Sequence, residues 1–402
     1  MHTARKFSFI ISLLAVSFAL LWYAVCTNRI AATDFAFIDK HSSTDMFASA
    51  LYFDGIQSYY ANLDPAAAAE YFRRSITRDP LYIPSWVNLA KVELAEGRQK
   101  DAERIVDILE PLIEHVSTWK WQELLLAYDL RNDKLFDRSL NFILNRLPYR
   151  IPEAHYLAVK YFGDAVAVVP HIAPDNRTTY LNQLMRAKET DAALAIWQQL
   201  RASESPIDRD LELRFCQFLL ADNRLEAAES VWQSWAGETQ TQATVYDGSF
   251  QEEPLNMAFG WRFARNPQVS VDRTTVTSYQ GTHSLHLHFR GADNVNFYHV
   301  SQLVPVQPGK EYLLSFACRS RNLTTDQGVF VEVLGYRCKG LYAASEPITG
   351  SSAWVVQEVR FSPPAGCQAA TIRIRRKESL MFDNKISGDY WLDDVKLQEL
   401  DG

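Results

Sequence analysis

One change of period divides this chain into two folding regimes. From about residue 44 to 236 apolar side chains recur every three or four positions. Beyond about residue 245 they alternate, apolar with polar. The first pattern builds helices with one buried stripe, and the second builds strands with one buried face. Helices followed by strands predict a multidomain α + β chain. Its 402 residues suffice for two cores.

A third feature precedes both. Arg5 and Lys6 introduce an apolar run from Phe7 to Val25. As a helix rising about 1.5 Å per residue, that run spans a hydrocarbon layer of about 30 Å. It exceeds the core of a cleavable signal, and no small residue stands directly before Cys26. Ile30-Ala31-Ala32 is the alternative, a cleavage step. The expectation is an uncleaved transmembrane anchor over 1–28 and a juxtamembrane linker over 29–43. The basic residues keep the N-terminus cytoplasmic. This architecture suggests a single-pass bacterial inner-membrane protein with its bulk periplasmic or extracytoplasmic.

Within 44–236 the helical pattern repeats. Residues 66–80 form a small-residue helix closed by Pro80, Pro84 to Gly97 forms the next, and a third carries Ala102, Ile105, Ile108 and Leu109 before Pro111. Ala68 and Ala102 lie 34 residues apart, as do Tyr52 and Trp86, while Trp197 and Trp232 lie 35 apart. Small residues let paired helices approach, and large ones fill the space between pairs. The Trp86…Leu89-Ala90…Ala102 spacing resembles the tetratricopeptide repeat. That resemblance implies a solenoid of four to six hairpins whose concave surface binds protein partners. His115, His155 and His171 are scattered and read as structural or solvated, and Trp119 and Trp121 as packing residues.

Residues 237–244 read as a linker, and 245–402 as an antiparallel β-sandwich of the jelly-roll kind. Strand signals include Ser284–Phe289, Tyr312–Phe316 after the Pro308-Gly309 turn, Gly328–Gly335, Thr371–Arg375 and Tyr390–Leu397. Alternation turns Arg319, Glu332, Tyr336, Arg373 and Arg375 outward and leaves Tyr298 and Tyr342 on loops. His286 and His288 share one strand face, with no neighbouring carboxylate in sequence to complete a metal shell. Asp393 shares its face with Trp391, Val395 and Leu397, which points it inward and in need of a partner. Five cysteines are too few for a disulfide scaffold. Cys318, Cys338 and Cys367 either stay buried thiols or yield one disulfide outside the cytoplasm.

Ordered motifs across this region resemble the galactose-binding-like sandwich of family 4/9 carbohydrate-binding modules. They are Asp247-Gly248-Ser249-Phe250, Gly260-Trp261, Gly281-Thr282-His283-Ser284-Leu285, Gln302-Leu303-Val304-Pro305-Val306, Pro308-Gly309-Lys310-Glu311-Tyr312, Trp354 and Trp391-Leu392-Asp393-Asp394-Val395. The resemblance implies a glycan-binding sheet face, with Tyr298, Arg319, Glu332, Tyr336, Tyr342, Arg373 and Arg375 as candidate contacts. It places Trp261, Trp354 and Trp391 in the core. It also implies a structural calcium ion held by oxygens of Asp247, Glu252, Thr282 and Asp393. The chain departs from the family at Gln251, where an acidic residue is usual.

A net charge of −7 gives no basic face for nucleic acid. No Gly-x-Ser-x-Gly, His-Glu-x-x-His or phosphate-cradling loop occurs. Asp393 and Asp394, as strand neighbours, point to opposite faces and cannot converge on one bond. The sequence therefore reads as a non-enzymatic, membrane-anchored scaffold that binds proteins through its helices and a glycan through its sandwich, in envelope or exopolysaccharide assembly or export. The alternative is a purely protein-binding subunit with a structural sandwich.

Overall fold

The computed structural model describes residues 2–203, 206–237 and 245–400. It divides into two compact units, 1–200 and 201–402. The first holds α1 (His2–Ala31), α2 (Phe35–Lys40), α3 (Ala48–Tyr60), α4 (Pro65–Arg78), α5 (Ile83–Ala95), α6 (Gln99–Ile113), α7 (Ser117–Leu130), α8 (Asp133–Arg146), α9 (Ile151–Phe162), α10 (Ala165–Val168), α11 (Arg177–Ala187) and α12 (Thr190–Arg201). The stretch Ile11–Ala31 is long and apolar enough to cross a membrane. The segment 29–43, read as a linker, carries the end of α1 and all of α2.

The array is built from packed pairs: α3 on α4, α5 on α6 and α7 on α8. Asp64 caps α4, its carboxylate accepting the Ala67 N–H at 2.9 Å, and Pro65 occupies the first turn. Ala68, Ala69 and Phe72 then bury against Leu89 and Val92 of α5. Any side chain at Gly55 of α3 would strike the Phe72 ring, so the close approach of α3 and α4 depends on that glycine. One detail differs from the sequence reading. Pro111 lies inside α6, which continues to Ile113. Near a helix end a proline interrupts few intrahelical bonds. Lys120 and Glu123 are fully buried in α7, paired at 2.8 Å, with the Ser139 hydroxyl donating to the same Glu123 oxygen at 2.8 Å.

The second unit begins with α13 (Arg209–Ala221) and α14 (Leu225–Ala236), packed as a hairpin. Compactness thus groups this last hairpin with the strands, while the sequence period changes near residue 240. The linker at 237–244 lies, except for Gly237, outside the described residues. Among the described residues ten strands follow: β1 (Arg262–Phe263), β2 (Val269–Thr274), β3 (Ser284–Arg290), β4 (Phe297–Pro305), β5 (Glu311–Leu323), β6 (Phe330–Gly335), β7 (Tyr342–Ala344), β8 (Gly350–Phe361), β9 (Ala369–Arg376) and β10 (Ser387–Leu400).

They form two five-stranded antiparallel sheets, ordered β1-β4-β9-β6-β7 and β2-β3-β10-β5-β8. We call them sheet A and sheet B. From β3 onward the chain repeatedly crosses between the sheets, the connectivity of a jelly-roll sandwich. The core lies between them and joins Leu285, Leu287, Phe289, Leu314 and Phe316 of sheet B to Val300, Val304, Val331, Ile372 and Ile374 of sheet A. Cys338 and Cys367 form a disulfide, while Cys318 is a buried thiol in the core. Gln217 of α13 ties the hairpin to the sandwich by accepting the Ala258 N–H at 2.9 Å and an Arg262 N–H at 2.8 Å.

Candidate functional site

Each sheet turns one face to the core and one outward, so the sandwich offers two outer faces. On sheet A, register places Ser301, Arg373, Glu332 and Ala344 in one row across β4, β9, β6 and β7. Glu332 is only 2% exposed although it points outward, because Arg373 lies over it. Its Oε1 accepts from Arg373 Nε at 2.7 Å, and Arg375 Nε stands 3.8 Å from the same oxygen. Arg375 is fixed further by donating to the carbonyl of Phe297 at 2.9 Å and to the side chain of Asn296. Both guanidinium groups face the Tyr298 ring, at 5.7 and 5.9 Å from its centroid.

Tyr298 is 48% exposed and Tyr342 is 57% exposed. The sequence reading put both on loops, whereas they lie on β4 and β7. A bulge opposite β9 between Phe297 and Val300 breaks the alternation that would have marked Tyr298 as a strand residue. They stand three strands apart, about 14 Å across the sheet. Tyr298, Glu332, Tyr342, Arg373 and Arg375 are therefore brought to one face. Tyr336 is drawn instead towards the helical hairpin, its hydroxyl 3.5 Å from the Leu220 carbonyl.

Arg319 is not on that face. It lies on β5 of sheet B, opposite Trp391 of β10, which is opposite His286 of β3. Trp391 was expected in the core. Its strand neighbours Tyr390 and Leu392 point inward instead, and Trp391 lies on the outer face at 4% exposure. His286 stacks on it with centroids 5.0 Å apart, and the guanidinium groups of Arg319 and Arg321 stand 5.5 and 5.3 Å from its ring. The next row holds His288, Asp389 and Arg321. Asp389 Oδ1 bonds both His286 Nε2 and His288 Nδ1 at 2.9 Å, and Oδ2 accepts two N–H bonds from Arg321 at 2.7 and 3.1 Å. Burial alone would raise the Asp389 carboxyl, but these bonds outweigh it and hold its pKa at about 2. The histidines do have a carboxylate partner, about a hundred residues away in sequence. Trp354, also expected in the core, is half-buried on this face, its indole N–H 3.3 Å from Thr277 Oγ1. Trp261 is in the core as expected.

The four calcium candidates surround the first loop and the 279–283 turn. Asp247 accepts the backbone N–H groups of Gln251 and Glu252, at 2.7 and 2.9 Å. The Glu252 side chain is exposed. Thr282 Oγ1 lies 2.9 Å from Gln251 Oε1. Asp393 is fully buried, but not through the expected alternation. The β10–β5 register shifts between Asp393 and Lys396, so Tyr390 and Leu392 face the core before the shift and Val395 and Leu397 after it. The Asp393 carboxylate accepts the N–H groups of Tyr279, Gln280 and Asp394 at 2.7, 2.9 and 2.7 Å. Burial nonetheless raises its pKa.

No family model and no curated protein matches this chain. Solved structures similar to its C-terminal sheet region include a family 16 carbohydrate-binding module, 18% identical over 39% of this chain and 99% of that one, with a TM-score of 0.28. A CBM4 structure is 14% identical over 39% of this chain and 99% of that one, with a TM-score of 0.30. The enzymatically active domain of tailspike protein 4 from bacteriophage CBA120 is 15% identical over 40% of this chain but only 22% of its own, with a TM-score of 0.30.

Proposed function

We propose that this chain is a non-enzymatic, membrane-anchored scaffold whose sandwich binds a glycan across the outer face of sheet A. The observation that carries the reading is the Arg373–Glu332–Arg375 network set between the exposed rings of Tyr298 and Tyr342. Aromatic rings stack on the apolar faces of sugars, and charged donors and acceptors held in fixed positions bond their hydroxyls at little cost in side-chain ordering. The family 4/9 resemblance of the sequence supports the same reading. Ile11–Ala31 would anchor the chain in an inner membrane, and the Cys338–Cys367 disulfide favours an oxidising, extracytoplasmic compartment for the sandwich. The helical pairs, read as tetratricopeptide-like, would hold protein partners of an envelope polysaccharide assembly or export machine.

The test is a polysaccharide and oligosaccharide panel against the full chain in detergent, read by titration calorimetry. Saturable binding that Tyr298→Ala and Arg373→Gln each abolish or weaken at least about tenfold is expected. An absence of glycan binding by the folded wild type would overturn the reading.

A further inference from the structure

The outer face of sheet B is not part of the site on sheet A, yet it gathers the chemistry of a second one. Around Trp391 it carries Arg290, Arg319 and Arg321 with Asp272 and Asp389, while Glu358, Arg360 and Lys396 stand further along the same face. The Asp389 bonds aim Arg321 and both imidazoles, while Trp391 supports Arg319 and Arg321 from below. Thr277 Oγ1 accepts from Arg319 Nη1 at 3.0 Å and lies 3.3 Å from the Trp354 indole nitrogen, which joins the cationic row to an aromatic one. Trp354 and the half-exposed Tyr279 form that platform, with centroids 5.9 Å apart. From His288 on β3 to Trp354 on β8 the patch crosses three strand spacings, about 14 Å.

We propose that this face is a second binding site, and that its ligand is an acidic saccharide bearing uronate carboxylates. Arginine donors recognise planar carboxylates, and the adjoining rings stack on pyranose faces. A small inorganic anion would use the first feature and not the second. The full chain would be titrated with an oligogalacturonate, with its carboxyl-reduced neutral counterpart, and with inorganic phosphate as competitor. Arg319→Gln and, separately, Tyr279→Ala are each expected to weaken oligogalacturonate binding at least about tenfold. Tyr298→Ala on sheet A should leave it unchanged, and the neutral oligosaccharide should not compete. Unchanged melting temperatures would show that the variants fold. No binding of oligogalacturonate by wild type, loss through Tyr298→Ala but not Arg319→Gln, or displacement by equimolar phosphate would each overturn the proposal. Failure of the sheet A reading would leave this result untouched, because Arg319 lies on the other sheet and Tyr279 on the loop between β2 and β3.

A separate observation concerns the calcium that the resemblance implies. The Gln251 amide donates to the Ser249 carbonyl and, at 3.4 Å, to the His283 carbonyl. Its Oε1 accepts the Thr282 N–H at 3.1 Å and the Thr282 hydroxyl at 2.9 Å. The turn it closes needs Gly281, at φ +67°, where a Cβ would lie 2.9 Å from that amide. A calcium ion needs six to eight free oxygen ligands. Here the oxygens of Asp247 and Asp393 already accept N–H bonds. We infer that the Gln251 amide takes the place of the cation and that this sandwich closes its first loop without metal. The full chain should melt at the same temperature in calcium and in EDTA. Gln251→Ala should lower that temperature in both, and Gln251→Glu should make it rise with calcium. A wild-type melting temperature that rises with calcium or falls with EDTA would overturn the inference.

Discussion

The outer faces of the two sheets use the same kinds of residue in opposite ways. On sheet A the charged groups lie low and the tyrosines stand up: Glu332 is buried beneath Arg373, while Tyr298 and Tyr342 remain about half exposed. On sheet B the aromatic ring lies low and the charges stand over it, with Trp391 beneath His286, Arg319 and Arg321. An exposed ring contributes little to folding and is free to meet a ligand. A buried ring stabilises the sheet and serves a ligand only by holding other groups in place. The comparison therefore separates residues that would contact a sugar from residues that would position such contacts.

The largest expected effect tests that separation directly. Trp391→Ala should cost about 3–5 kcal/mol of stability, the usual loss for a buried tryptophan. Tyr298→Ala, at an exposed position, should stay within about 0.5 kcal/mol. Urea unfolding of both variants measures the difference. Equal losses would mean that Tyr298 belongs to the packing of its sheet, which would break the contrast.

Much of the fold was legible in the sequence, because period reports burial and most of the chain keeps one period at a time. Ser284–Arg290 alternates without interruption, and Leu285, Leu287 and Phe289 face the core as read. The misreadings share two causes. Alternation gives the face of a strand but not the sheet to which it belongs, so Arg319 was grouped with residues of the opposite sheet. Alternation also fails across irregularities. The register shift after Asp393 carries the inward positions from Tyr390 and Leu392 to Val395 and Leu397, which leaves Trp391 outside. Asp389 was missed because its partners, His286 and His288, lie about a hundred residues away, and only strand pairing joins them.

The ionic networks give a smaller effect. Asp389→Asn would leave Arg321 and two imidazoles around a neutral amide, and Glu332→Gln would do the same to Arg373 and Arg375. Each should cost about 1–2 kcal/mol, less than a fully buried pair because the partners of both carboxylates are partly solvated. A double-mutant cycle of Asp389→Asn with Arg321→Gln should return a coupling, and additivity would show the pair to be incidental.

The smallest effect is a dependence on pH that only sheet B should show through its carboxylate. Asp389 has a pKa of about 2 in the folded chain, below the value of about 4 for an unfolded aspartate. A depressed folded pKa favours the folded state while the group is ionised. That stability is fully present above about pH 4 and is lost as pH falls towards 2. Because Asp389 anchors His286, His288 and Arg321, protonating it would also release the groups that it aims. Subtracting the acid-melting profile of Asp389→Asn from that of the wild type isolates this single carboxyl from the other acids of the chain. The difference should fall between pH 4 and 2 and stay flat above. A difference that stayed flat between pH 4 and 2 would mean that Arg321 and the two imidazoles do not hold this carboxylate ionised, and Asp389 would then be an incidental neighbour rather than the group that sets their position.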